Sequence, residues 1–159
     1  MIKYCLQKWD TNKEKLREFL RTSKELNDCN YLNLVAAVVE YILNPSDNDY
    51  DYRWDYKNIT EIDNGDYQGT LLFLIPLDKY QPMENEYLIT YVGYGSCSGC
   101  DTLMSIQECW NGDDCLTETQ VEDFMILCKD ILTNIKKPYN SGWRNEEIFD
   151  EVVVMEAEK

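Results

Sequence analysis

The sequence predicts an α+β fold: a small antiparallel sheet of three or more strands packed by about four helices. Three observations point there. Apolar residues recur at helical spacing in three separated stretches, near the N-terminus, over 31–43 and over 117–137. Between the second and third stretches lie β-rich runs bounded by turn residues. Those runs are close in sequence, which makes antiparallel pairing the default. At 159 residues, 44% of them hydrophobic, the chain reads as a single compact domain over 1–159. A chain of this length buries roughly 68–70% of its unfolded surface. No internal repeat, low-complexity linker or domain boundary is visible.

The first helix follows Trp9. Asp10 or Thr11 can cap its start. Leu16, Phe19, Leu20 and Leu26 share one face, and Lys13, Lys15, Arg17, Arg21 and Lys24 make a solvated basic face. A second helix runs from Tyr31 to Leu43, apolar nearly all round and therefore central, and it stops before Pro45. Residues 45–58 form an acidic and aromatic loop. In it Asp47, Asp49, Asp51 and Asp55 alternate with Tyr50, Tyr52, Trp54 and Tyr56, an alternation that would separate acids from rings in an extended segment.

The strand run 59–63, the turn signal Asn64-Gly65-Asp66 and the run 68–77 make a hairpin. The unbroken apolar run Leu71–Ile75 predicts a strand covered on both faces, ended by Pro76. A further strand spans 86–95. A glycine-rich turn then leads into a short helix that Asp101 can cap. The last helix, Thr117 to Lys137, carries Val121, Phe124, Cys128, Ile131 and Ile135 at helical period. It opens with a Thr117–Gln120 capping box and is ended by Pro138. The apolar run Val152–Met155 in the tail suits an edge strand or a helical turn.

Charge bounds the function. There are 30 acidic and 15 basic residues with no histidine, a net charge of −15. Residues 1–27 hold seven basic against four acidic side chains, a balance of +3. Residues 28–159 hold eight against 26, a balance of −18. That field repels nucleic-acid phosphates and anionic membranes and attracts basic protein surfaces. The start of the chain lacks an apolar signal-peptide core. The longest apolar stretch, 34–43, is too short to span a bilayer. A cytoplasmic location is expected, with the seven cysteines reduced.

The sharpest local feature is Cys97-Ser98-Gly99-Cys100. Such a pair can bind zinc or exchange disulfides. Zinc needs about four ligands, and the nearest completion, Cys109 and Cys115, is irregularly spaced. No cofactor or metal is therefore expected. A helix start just after Cys97 would activate that thiol. Gly93, Gly95 and Gly99 read as serving unusual backbone angles in a tight turn. They do not read as a phosphate cradle, because no Lys or Arg lies between Lys79 and Lys129. Without histidine there is no Ser-His or Cys-His pair, so the chain is not expected to be an enzyme. The 48–55 stretch lacks the glycine and final glutamate of a calcium loop.

Residues 69–106, with GYGSCSGCDTL at their centre, and 125–143, with CKDI and PYN-GW, resemble small proteins encoded by phages and mobile elements of Gram-positive bacteria. Acidic balance and length also make the chain similar to anti-CRISPR proteins of staphylococcal mobile elements, which inhibit type II-A RNA-guided nucleases. No residue-level inhibitor motif carries over. The resemblance implies stoichiometric protein–protein binding to a CRISPR effector nuclease. The nuclease's nucleic-acid channel is positively charged and would attract an acidic domain. The residues expected to bind this partner are Asp47, Asp49, Tyr50, Asp51, Tyr52, Trp54, Asp55 and Tyr56, because interfaces favour Tyr and Trp anchors. The alternatives are a zinc- or thiol-dependent accessory phage protein built around Cys97 and Cys100, and a phage structural or regulatory protein.

Overall fold

The computed structural model describes residues 1–24, 26–44, 53–109 and 115–137. In chain order, α1 spans Ile2–Thr22, α2 Tyr31–Val38, β1 Thr60–Asp63, β2 Gly69–Pro76, β3 Tyr87–Tyr94, α3 Thr102–Glu108 and α4 Glu118–Thr133. The α+β expectation is met: among the described residues, four α-helices accompany one three-stranded antiparallel sheet in the order β1-β2-β3.

Helix α1 begins at Ile2, and Asp10 sits exposed in its middle with no capping role. The expected start at Asp10 or Thr11 is therefore wrong. Cys5 and Trp9 continue the apolar stripe through buried Asn12 to Leu16 and Leu20 at steps of three or four. Burial of that stripe outweighs the weak local preference of Asp10 for a cap. The basic face is partly engaged rather than fully solvated. Arg21 grips Glu118 of α4 with two parallel hydrogen bonds of 3.0 and 2.9 Å, and Arg17 pairs with Glu122 of the same helix.

Helix α2 opens with a reciprocal box, in which Asn30 Oδ1 accepts from the Asn33 N–H and Asn33 Oδ1 from the Asn30 N–H, both at 2.9 Å. Its last turn, Val39–Leu43, widens to a π-helix, and the Asn44 N–H donates to the Val39 carbonyl. Helix ends leave carbonyls without partners inside the helix. The buried Asn12 side chain of α1 meets one of them, donating to the Ile42 carbonyl at 3.0 Å.

The sheet turns Phe73, Ile75, Leu88 and Thr90 inward, all buried, and the Thr90 hydroxyl donates to the Ile131 carbonyl of α4 at 2.8 Å. The opposite face is half covered. Ile62, Leu72 and Tyr91 form one cross-strand row there, with Ile62 45% and Tyr91 41% exposed. The expected burial of β2 on both faces is corrected: the outward Leu72, flanked by Ile62 and Tyr91, and Leu74, flanked by Thr60 and Ile89, stay half-buried. A continuous apolar run cannot by itself distinguish these two situations. Strand β2 does end at Pro76, and the Thr117–Gln120 box of α4 is present. Helix α4 stops at Thr133, short of the predicted Lys137. Lys136 instead bridges Ile89, adding a backbone pair beside β3. The tail containing Val152–Met155 lies outside the described residues.

Candidate functional site

Of the predicted partner-binding segment, Asp47, Asp49, Tyr50, Asp51 and Tyr52 lie outside the described residues. Trp54 is 5% exposed, so its ring belongs to the core and is no surface anchor in this structure. The reason lies in Asn44, itself buried. Asn44 Oδ1 accepts from the Trp54 N–H at 2.8 Å, and its Nδ2 donates to the Trp54 carbonyl at 3.2 Å. That clamp draws residue 54 back against the end of α2. Asp55 closes a local turn, accepting from the backbone N–H groups of Lys57 and Asn58. Tyr56 is half-buried against the core, with the Lys57 ammonium 5.6 Å from its ring centre.

A second constellation is built where β3 passes into α3. Asp101 is 6% exposed and organises it. Its Oδ1 caps α3 by accepting from the Met104 N–H at 3.0 Å and also accepts the Tyr31 hydroxyl at 3.0 Å. Its Oδ2 accepts the Gly95 N–H at 3.1 Å. The Tyr31 oxygen in turn accepts from the Leu103 N–H. One carboxylate thus ties α2, the end of β3 and the start of α3 together. Gly95 is held so close to Cys100 that an added Cβ would stand 2.5 Å from its sulfur and 2.6 Å from its carbonyl oxygen. Gly93, Gly95 and Gly99 all avoid left-handed φ, which corrects the backbone-angle expectation for them. Gly95 is required for space, and Gly93 and Gly99 meet no close atom.

On this turn Cys97 and Cys100 are both exposed, and their sulfurs are 2.8 Å apart. The Cys97 N–H also donates to the Cys100 sulfur at 3.2 Å. The hydrogen bond from Cys97 lowers the Cys100 pKa, with help from the backbone N–H groups of Cys97 and Ser96. The same bond raises that of Cys97. The activated thiol is therefore Cys100, where the sequence pointed to Cys97. The Cys100 sulfur lies against the N–H, the thiol and the carbonyl of Cys97, to which its own thiol donates at 3.1 Å, and sequence spacing does not show that arrangement. Cys5, Cys29 and Cys128 are buried, and burial pushes the thiols of Cys5 and Cys29 up to about 11.

Beside Cys100 opens a groove of about 510 Å³ between this turn, α3 and α4. Ser105, Ile106 and Cys109 of α3 line one wall, and Asp123, Ile126, Leu127 and Asp130 of α4 the other. Ile126 is 61% exposed. The α4 residues share a helical face by their spacing, so the stripe was readable. That it faces the cysteine turn was not, because sequence does not say which helix packs beside which loop. Among the described residues, no three Cys, Asp or Glu side chains come together as metal ligands, and Cys109 and Cys115 do not complete a set with Cys97 and Cys100. Also among the described residues, no helix is long and apolar enough to cross a membrane.

Comparison with protein-family models, with curated proteins and with solved structures returned no match.

Proposed function

We propose that this protein is a stoichiometric inhibitor that docks on a basic surface of a type II-A RNA-guided nuclease and blocks DNA cleavage, without itself binding nucleic acid. The observation that carries the reading is the charge distribution. The net charge is −15, and two long segments, 58–78 and 80–128, contain no Lys or Arg. Two of the basic residues of α1, Arg17 and Arg21, are paired to Glu122 and Glu118. Glu61, Asp63 and Asp66 stand exposed on the β1–β2 hairpin. Such a surface steers the protein towards a positively charged channel and away from phosphates. The choice of a type II-A effector within that class rests on the resemblance, in acidic balance and length, to anti-CRISPR proteins of staphylococcal mobile elements.

The test is a DNA-cleavage assay with a type II-A nuclease loaded with its guide. Inhibition is expected at near-equimolar ratio, with association slowed by salt because exposed charges are screened beyond roughly 8 Å at physiological ionic strength. Changing Asp47, Asp49, Asp51 and Asp55 together to Asn should weaken inhibition. If inhibition survives, Glu61, Asp63 and Asp66 form the next set to neutralise. Absence of inhibition at high excess, or direct binding of guide RNA or DNA, overturns the reading.

A further inference from the structure

We propose that Cys97 and Cys100 form a redox-active dithiol that exchanges with cationic peptide or protein disulfides seated in the groove beside Cys100. Three independent features meet at this place. The two sulfurs are exposed and 2.8 Å apart, so the pair can close on itself with little movement of the turn. The Cys97 backbone N–H donates to the Cys100 sulfur at 3.2 Å, and this bond together with the adjacent Cys97 thiol favours the Cys100 thiolate, the nucleophile in disulfide exchange. Cys100 also borders a groove whose α4 wall offers Asp123, Asp130 and the exposed Ile126, a lining suited to a positively charged and partly apolar segment. The buried thiols Cys5, Cys29 and Cys128 share none of these features.

The exchange balances as follows. The Cys100 thiolate attacks one sulfur of the incoming disulfide, forming a Cys100–substrate bond and expelling the other half as a thiolate. Cys97 loses its proton to that thiolate and attacks the Cys100 sulfur. The Cys97–Cys100 disulfide forms, and the second half of the substrate leaves as a thiolate that takes its proton from solvent. The dithiol is oxidised by two electrons and the substrate disulfide is reduced to two thiols. The Asp101 network holds Gly95 against Cys100, and the two sulfurs stand together on the same turn. This activity is separate from nuclease inhibition and stands or falls without it.

The test uses the whole, fully reduced protein with three probes: cystamine (cationic), hydroxyethyl disulfide (neutral) and oxidised glutathione (anionic). Peptide mass spectrometry after acid quench reads the products. The expected product is a Cys97–Cys100 disulfide, formed about tenfold faster with cystamine than with oxidised glutathione at low salt, a spread that collapses in high salt. The spread should also shrink in an Asp123→Asn/Asp130→Asn variant. Cys97→Ser should trap a mixed disulfide on Cys100, and Cys100→Ser should lose the fast phase, with circular dichroism confirming that both variants remain folded. Failure of the Cys97–Cys100 disulfide to form overturns the proposal, as does trapping on Cys97 in place of Cys100. Equal rates for the three probes overturn the role of the groove.

Discussion

Asp101 is the residue whose loss should be felt most widely, and the size of the effect can be worked out from its contacts. Asp101→Ala removes the cap of α3, which costs about 1 kcal/mol. It also leaves the Gly95 N–H and the Tyr31 hydroxyl, both in buried hydrogen bonds to the carboxylate, without an acceptor. Each orphaned buried donor costs about 1–3 kcal/mol. Part of this is offset because a buried carboxylate no longer has to be desolvated, so the net loss should be about 3–5 kcal/mol. For a chain of this size that lowers the melting temperature by roughly 6–20 °C. Asp101→Asn keeps Oδ1 for Met104 and Tyr31 but turns an amide N–H₂ towards the Gly95 N–H, so it should cost only about 1–3 kcal/mol. Urea unfolding with a common slope for the three proteins measures both values. In a double-mutant cycle with Tyr31→Phe, the shared hydrogen bond should appear as a coupling of about 0.5–3 kcal/mol. An Asp101→Ala protein within about 0.5 kcal/mol of the parent, or an Asn variant as damaged as the Ala variant, would refute the view that one carboxylate holds α2, β3 and α3 together.

Two further outcomes follow from the same structure. Gly95→Ala should destabilise by about 1–3 kcal/mol, since its Cβ would collide with Cys100. Gly99→Ala should be nearly neutral, and equal losses in thermal melts of the two variants would contradict the close-approach account. Stability should also fall as pH rises. Cys5 and Cys29 titrate near 9 when unfolded and about 11 when folded. The protonated thiols are therefore favoured in the native state. Their contribution is complete below pH 9 and is lost between 9 and 11, with a slope of up to about 1.4 kcal/mol per pH unit for each group. Denaturant midpoints across this range, compared with a Cys5→Val variant that should decline less steeply, check the sign. A parent whose stability is flat to pH 11 would contradict it.

What the sequence determined by itself was a set of features that neighbours along the chain decide. The Thr117–Gln120 box, the Asp101 cap, the hairpin around Asn64-Gly65-Asp66 and the end of β2 at Pro76 each depend on residues a few positions apart, and each is present. Charge is likewise legible, because it is a sum that needs no coordinates. The start of α1 was misread because Cys5 and Trp9 gain from burial against partners far along the chain, whereas Asp10 offers only a local cap. Trp54 reads as an exposed anchor until Asn44, ten residues earlier, clamps its backbone and draws the ring inside. The pairing of Arg17 and Arg21 with α4 spans about a hundred residues. The same holds for the cysteine turn. Its motif was visible, but which sulfur is activated depends on where donors point, and the acidic wall beside it depends on α4 packing next to α3. Hydrogen-bond direction and the choice of packing partner are settled when the core closes, because only then do distant residues compete for the same buried donors and surfaces.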